Sequence, residues 1–210
     1  MQFCINQIVR NILMKYLIVS VKGGVGKTGF ALNLATYIGA QCVTNDLVVN
    51  ENSGIIQLEI KSRSIPIKLC NKQPIVFDFG ASYNSIDTKL AHAVRQSGVI
   101  VIPTLTDARS LQATIDTFNL VKVANKPIAI IINNYTSETK FKHAKDYLFD
   151  ALGRLPIFAI RTTTLFERVA KDGSEWFSKI HQVNGEHQLN KTRIAHEQVY
   201  DRIIALGAKK

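Results

Sequence analysis

Cysteine is scarce in this sequence, and long apolar runs are missing from it. The three cysteines, Cys4, Cys42 and Cys70, are odd in number and lack the spacing of a metal site. A disulfide-rich fold is therefore not expected, and a reducing cytosol is the default compartment. No apolar stretch approaches the roughly 20 residues of a membrane-spanning helix. Polar residues interrupt the apolar ones near the N-terminus, so no classical signal peptide is predicted.

Acidic residues are few relative to basic ones. The 210 residues include 16 Asp and Glu against 26 Lys and Arg, which gives a formal net charge of +10. Such a charge favours a polyanionic partner, either nucleic acid or an acidic membrane surface, without choosing between them. The length suits one medium-sized domain. We expect that domain over residues 14–210, after an N-terminal extension, 1–13, that need not belong to the native protein.

Short apolar segments alternate with helical patterns along the chain. Buried strands are predicted at Tyr16–Val21, Pro74–Phe79, Gly98–Ile102 and Pro127–Ile132. Strands of this kind, separated by amphipathic helices, predict an α/β fold with a mostly parallel, twisted sheet covered by helices on both faces. Ile55–Ile60 and Ile65–Leu69 alternate polar and apolar residues instead, which suggests an antiparallel or edge pair.

A glycine-rich segment, KGGVGKT at residues 22–28, joins the first strand to the first helix. Glycines allow backbone N–H groups to converge on phosphate oxygens, and the positive N-terminus of the following helix favours the same anion. In such a loop Lys27 reaches the β- and γ-phosphates, and the Thr28 hydroxyl binds Mg²⁺. The predicted nucleotide-binding residues are Gly23, Gly24, Val25, Gly26, Lys27, Thr28 and Gly29.

This segment resembles the deviant Walker A motif of the ParA/MinD family of P-loop ATPases, whose fold is a three-layer α/β P-loop NTPase. The first glycine of the general motif is replaced by Val21, and Lys22 stands where the family has its signature lysine. The resemblance implies that Lys22 crosses a nucleotide-sandwich dimer to the partner's phosphates. Gly29 replaces the family's second hydroxyl residue, which implies a missing contact to the α-phosphate and weaker nucleotide affinity.

Two carboxylates follow the family pattern. In CVTNDLVVN, residues 42–50, Asp46 matches the second Asp of the family's D-x-D element and would position the attacking water; Thr44 occupies the first position. The usual Pro-Gln is absent after Asp46, and an Asx-type turn is the alternative role. In PIVFDFGAS, residues 74–82, Asp78 resembles the Walker B residue that faces the Mg²⁺ shell, and Gly80 falls in the family's switch region near the γ-phosphate.

One further site residue comes from the resemblance. In IAIIINNYT, residues 128–136, Asn133 matches the asparagine that contacts adenine in this family, with Asn134 beside it. Two asparagines that form a turn are an equally good explanation.

Clustered basic residues bear on the type of partner. ParA-like relatives bind DNA without sequence preference, whereas MinD-like relatives bind membranes through a C-terminal amphipathic helix. A cluster with no such role is a solvated face. The C-terminal segment offers Val199, Ile203, Ile204 and Leu206, interrupted by Gly207, and is expected to pack on the domain rather than to insert into a membrane. The candidate clusters are Lys61, Arg63, Lys68 and Lys72; Lys140, Lys142 and Lys145; and Lys191, Arg193, Arg202, Lys209 and Lys210.

The resemblance as a whole implies a slow, partner-stimulated ATPase similar to short plasmid-partition ParA proteins. Its ligands would be ATP, ADP and Mg²⁺, and its partners a second copy in the presence of ATP, non-specific DNA and a centromere-binding adaptor protein. It would be cytoplasmic and associated with the nucleoid. Two alternatives stay open: a MinD-like membrane-associated ATPase, and a nucleotide-regulated binding module or conjugation accessory protein with little hydrolysis.

Overall fold

The computed structural model describes residues 14–45, 55–59, 65, 74–80, 88–162 and 187–208. Within these ranges the chain forms seven strands and five α-helices. The strands are β1 Lys15–Ser20, β2 Gln41–Thr44, β3 Ile55–Gln57, β4 Ile75–Gly80, β5 Val99–Thr104, β6 Ile128–Tyr135 and β7 Ile157–Arg161. The helices are α1 Lys27–Ile38, α2 Thr88–Gln96, α3 Ala108–Val121, α4 Glu138–Leu152 and α5 His187–Gly207.

All seven strands belong to one parallel sheet with the order β3-β2-β4-β1-β5-β6-β7. β1 therefore lies in the middle, between β4 and β5, and every strand ends at the same edge of the sheet. In open α/β sheets ligands bind in the crevice outside the carboxyl ends of the strands. This topology places the segment after β1 at that edge.

Two apolar clusters cover the two faces of the sheet. Alternate residues of β1 point to opposite sides, with Leu17 and Val19 in one cluster and Tyr16 and Ile18 in the other. Helices α2, α3 and α4 pack on the first face, and α1 and α5 on the second. The predicted three-layer α/β architecture is thereby confirmed.

The sequence left open whether the segment that contains β3 forms an antiparallel pair or an edge strand. β3 lies at the edge of the sheet, but it pairs in parallel with β2, with Cys42 opposite Ile55. The antiparallel alternative is therefore wrong for this strand. Its alternating pattern arises because an edge strand is only partly covered, and Gln57 is exposed. Most of the second predicted strand, Ile65–Leu69, lies outside the described residues.

The C-terminal helix packs on the domain as expected. Val199, Tyr200 and Ile203 are buried, and the Tyr200 ring meets the Phe30 ring of α1 edge-on at 5.5 Å between centroids. The apolar side of this helix is thus already used in the core. None of the described helices has the length and hydropathy needed to cross a membrane.

Candidate nucleotide-binding site

The loop between β1 and α1 has a conformation that only glycine adopts easily. Gly24 and Gly26 have φ angles of 75° and 85°, which lie in the left-handed region. The start of the loop is anchored by two hydrogen bonds. The Val21 N–H donates to Thr117 Oγ1 at 3.1 Å, and the Lys22 N–H donates to Ser20 Oγ at 3.2 Å. Gly24 and Gly26 are therefore required by the backbone path of the loop.

The N-terminus of α1 is open to an anion. Its N-cap residue is Gly26, no side chain caps its first N–H groups, and no acidic residue lies in its first turn. In contrast, α3 and α4 are capped by the side chains of Asp107 and Ser137. Unpaired N–H groups at the positive end of a helix bind phosphate well. The residues present therefore fit the phosphates of a nucleotide.

The predicted metal-binding residues lie together beneath this loop. Thr28 Oγ1 donates a hydrogen bond to Asp78 Oδ2 at 2.7 Å. Thr44 Oγ1 donates to the Asp78 backbone oxygen at 2.9 Å and lies 3.4 Å from Asp78 Oδ2. Asp78 is fully buried, and Lys27 is only 9% exposed. A hydroxyl and a carboxylate oxygen in contact are ligands that suit Mg²⁺, so this pair fits the predicted metal.

Asn133 lies under the loop. Its Nδ2 donates to the Val25 backbone oxygen at 3.2 Å, its Oδ1 accepts from the Asn134 N–H at 3.0 Å, and it is 3% exposed. A Cβ atom added to Gly26 would lie 2.2 Å from Asn133 Nδ2. Asn133 therefore supports the backbone of the phosphate loop, and its contact with adenine stays a prediction.

The predicted roles of Lys22 and Asp46 stay predictions. Lys22 is half-buried, and its charge is one cause of the lowered pKa of Asp107, after the larger effect of hydrogen bonding from Ser110. Lys22 thus lies near the N-terminus of α3, and its action across a dimer stays a prediction. Asp46 lies outside the described residues. Gly29, the departure from the family pattern, accepts a hydrogen bond from Asn33 Nδ2 through its backbone oxygen.

Sequence reasoning missed Asn45. Its Nδ2 donates to the Gly80 backbone oxygen at 3.1 Å, and its Oδ1 accepts from the Gly80 N–H at 2.9 Å. The contact between Asn45 and Gly80 could not be predicted from the sequence, because it depends on β2 and β4 being neighbours in the sheet. Asn45 follows Thr44, the residue paired with Asp78 in the ladder.

No protein-family model matches the sequence, and no curated protein matches it. Solved structures do match. The cell-division ATPase MinD of Pyrococcus furiosus superposes with a TM-score of 0.63 at 16% identity, over 93% of this chain and 100% of that one. A ParA-family ATPase from Chlorobium tepidum superposes with a TM-score of 0.61 at 19% identity, over 88% and 97%.

The chain has the fold of the ParA/MinD-type P-loop ATPases. A third structure with this fold is the septum site-determining protein MinD from Pyrococcus horikoshii, complexed with Mg-ADP. Its TM-score is 0.62 at 15% identity, over 94% of this chain and 99% of that one. The ParA/MinD resemblance of the KGGVGKT loop thus agrees with the fold of nearly the whole chain.

Proposed function

We propose that this ParA/MinD-type chain is an ATPase that dimerises when it binds ATP and Mg²⁺, and that the dimer binds DNA without sequence preference in plasmid or DNA partition. The observation that carries the nucleotide part is the 2.7 Å bond between Thr28 Oγ1 and Asp78 Oδ2 beneath the uncapped N-terminus of α1. A bound Mg²⁺ would neutralise phosphate charge at this pair.

The other residues divide the work on the triphosphate. Backbone N–H groups of residues 23–28 hold the phosphate oxygens, and Lys27 compensates their charge. Asp46 orients the attacking water in this proposal, and Lys22 contributes from the opposite protomer. A cation supplied across a dimer both stabilises charge in phosphoryl transfer and makes ATP part of the interface.

The DNA part rests on charge and burial. Lys140 and Lys142 are exposed on α4, which begins at the same sheet edge as the candidate nucleotide site. On α5, Val199, Tyr200 and Ile203 are packed in the core, and Ile204 and Leu206 pack partly against it, so these side chains are not available to a membrane surface. We therefore favour DNA over a membrane surface, with a centromere-binding adaptor protein that stimulates hydrolysis. Lys61, Arg63, Lys68, Lys72, Lys209 and Lys210 lie outside the described residues.

The nucleotide part is tested by Lys27→Ala. We expect this variant to bind ADP and a non-hydrolysable ATP analogue at least about tenfold more weakly, because a charge-assisted contact in a partly buried site is lost. Isothermal titration calorimetry measures both affinities, and a thermal melt checks the fold.

Lys122→Ala is the matched control, since Lys122 is exposed at the other end of α3, away from the candidate site. Unaltered nucleotide affinity in the folded Lys27→Ala protein would refute the assignment of the phosphate loop.

A further inference from the structure

The Asn45 side chain makes hydrogen bonds with both the backbone N–H and the backbone oxygen of Gly80. Asn45 Oδ1 accepts from the Gly80 N–H at 2.9 Å, and Asn45 Nδ2 donates to the Gly80 oxygen at 3.1 Å. Glycine has more backbone freedom than any other residue, so its orientation has to be fixed from outside. The last backbone pair between β2 and β4 is Thr44 with Asp78. Beyond it, the Asn45 side-chain amide takes the place of a backbone partner and fixes the orientation of Gly80.

Gly80 occupies a sensitive place in the candidate site. It ends β4, two residues after Asp78, and it pairs across the sheet with Ser20. Ser20 in turn accepts the Lys22 N–H at the start of the phosphate loop. The phosphate loop keeps its own anchors, the Val21 bond to Thr117 and the Lys22 bond to Ser20. A shift of Gly80 would therefore act mainly at the end of β4 beyond Asp78, where the family resemblance places the γ-phosphate.

Only asparagine can make this pair of bonds here. Aspartate has no donor for the Gly80 oxygen, and glutamine is one methylene too long for the same closed pair. Serine and threonine offer a single hydroxyl, which cannot reach both groups at once. The identity of residue 45 is thus specific to the contact.

We propose that Asn45 is a positioning residue for ATP hydrolysis, acting through Gly80 on the γ-phosphate end of the bound nucleotide. The inference rests on the proposed function. It predicts a separation of two properties: nucleotide binding through the phosphate loop stays intact without Asn45, while the chemical step slows. Placement errors of about 1 Å in a catalytic site cost up to about 100-fold in rate.

The test compares the full-length protein with Asn45→Ala and Asn45→Asp. Phosphate release at saturating ATP gives kcat, and calorimetry gives the ADP dissociation constant. We expect kcat to fall about 10- to 100-fold in both variants, with ADP affinity within about twofold of the unsubstituted protein. Asn45→Asp should be at least as slow as Asn45→Ala, because its carboxylate faces the Gly80 oxygen.

Ser97→Ala is the matched control. It removes a buried side-chain bond, Ser97 Oγ to the Val94 oxygen at 3.1 Å, just before β5 and so at the opposite edge of the sheet. It should leave both properties unchanged even where stability falls.

Normal kcat in the Asn45 variants, or an equal loss of kcat and ADP affinity, overturns the inference. So does an unsubstituted protein that binds ADP but releases no phosphate, although nucleotide binding then stands. An unsubstituted protein that binds neither nucleotide refutes the proposed function itself.

Discussion

At the scale of single residues, Gly26 and Asn133 fit each other closely. Gly26 combines a left-handed φ of 85° with the approach of the Asn133 amide. That amide is buried and bonded to the Val25 oxygen, so it cannot move aside without losing its partner. The loop conformation and its support from β6 are therefore parts of one arrangement.

Gly26→Ala should lower the free energy of unfolding and weaken ADP binding, because the new Cβ adds a steric clash to backbone strain. We expect a stability loss above the roughly 1 kcal/mol typical of Gly-to-Ala at positive φ. Urea unfolding measures it.

Gly39→Ala is the control, since Gly39 has a φ of 63° but nothing within 4 Å of a built Cβ. It should show the strain without the clash and should retain ADP affinity. Equal losses in the two variants would contradict this account of the Gly26–Asn133 contact.

Individual contacts were predictable only where a motif fixes them. The KGGVGKT pattern located Thr28, and the apolar run before Asp78 located the carboxylate that Thr28 contacts. The support from Asn133 and the contact of Asn45 with Gly80 were not predictable, because they join residues that only the strand order brings together.

At the scale of elements, the N-termini of the helices differ in whether a side chain caps them. α3 begins at Asp107, whose carboxylate accepts from the Ser110 N–H and hydroxyl. α4 begins similarly at Ser137. Both caps use residue types that are favoured at the N-cap position, so they depend on the local sequence alone. α1 has a glycine at this position and no side-chain cap, which is the arrangement that the proposed nucleotide site requires.

Asp107→Ala should destabilise the protein by about 1 kcal/mol at neutral pH. The Ser110 hydrogen bonds, with a smaller effect of Lys22, lower the pKa of Asp107 below its ordinary 3.8. Its stabilising effect is therefore present above that ordinary value and is lost as the pH falls through the folded-state pKa. The two proteins should become similar in stability in strong acid.

Urea unfolding at neutral and acidic pH measures this difference. Asp107→Asn should keep most of the stability, since asparagine also caps helices, and should lose the pH dependence. A constant difference between wild type and Asp107→Ala at all pH values would show that the cap carries no charge effect.

The elements themselves were predictable to different degrees. The central strands were located because they are continuously apolar, and the observed sheet is parallel. The pairing of β3 was not fixed, because an edge strand with one exposed side alternates in the same way in parallel and antiparallel sheets.

At the scale of the whole molecule, the net charge of +10 favours binding to a polyanion. Lys140 and Lys142 lie on α4 near the nucleotide edge, whereas Lys122 and Lys126 lie between α3 and β6 at the opposite edge. Phosphate contacts release counterions, so each lost contact lowers the salt dependence of DNA binding by about 0.9 in the log–log slope.

The double variant Lys140→Gln/Lys142→Gln should bind DNA more weakly in the presence of ATP and with a shallower salt slope. Lys122→Gln/Lys126→Gln removes the same charge and should change both less. Fluorescence anisotropy with a random duplex at several salt concentrations measures affinity and slope. Equal effects of the two double variants would mean that net charge alone, and not the α4 surface, determines binding.

The central claim is that ATP joins two copies of this chain through Lys22. Light scattering after size exclusion tests it most directly, on the unsubstituted protein and on Lys22→Ala, each with ADP or a non-hydrolysable ATP analogue. We predict a dimer only for the unsubstituted protein with the analogue, and a monomeric Lys22→Ala that still binds the analogue. A mass that is indifferent to nucleotide, or a Lys22→Ala dimer of normal strength, would contradict the account.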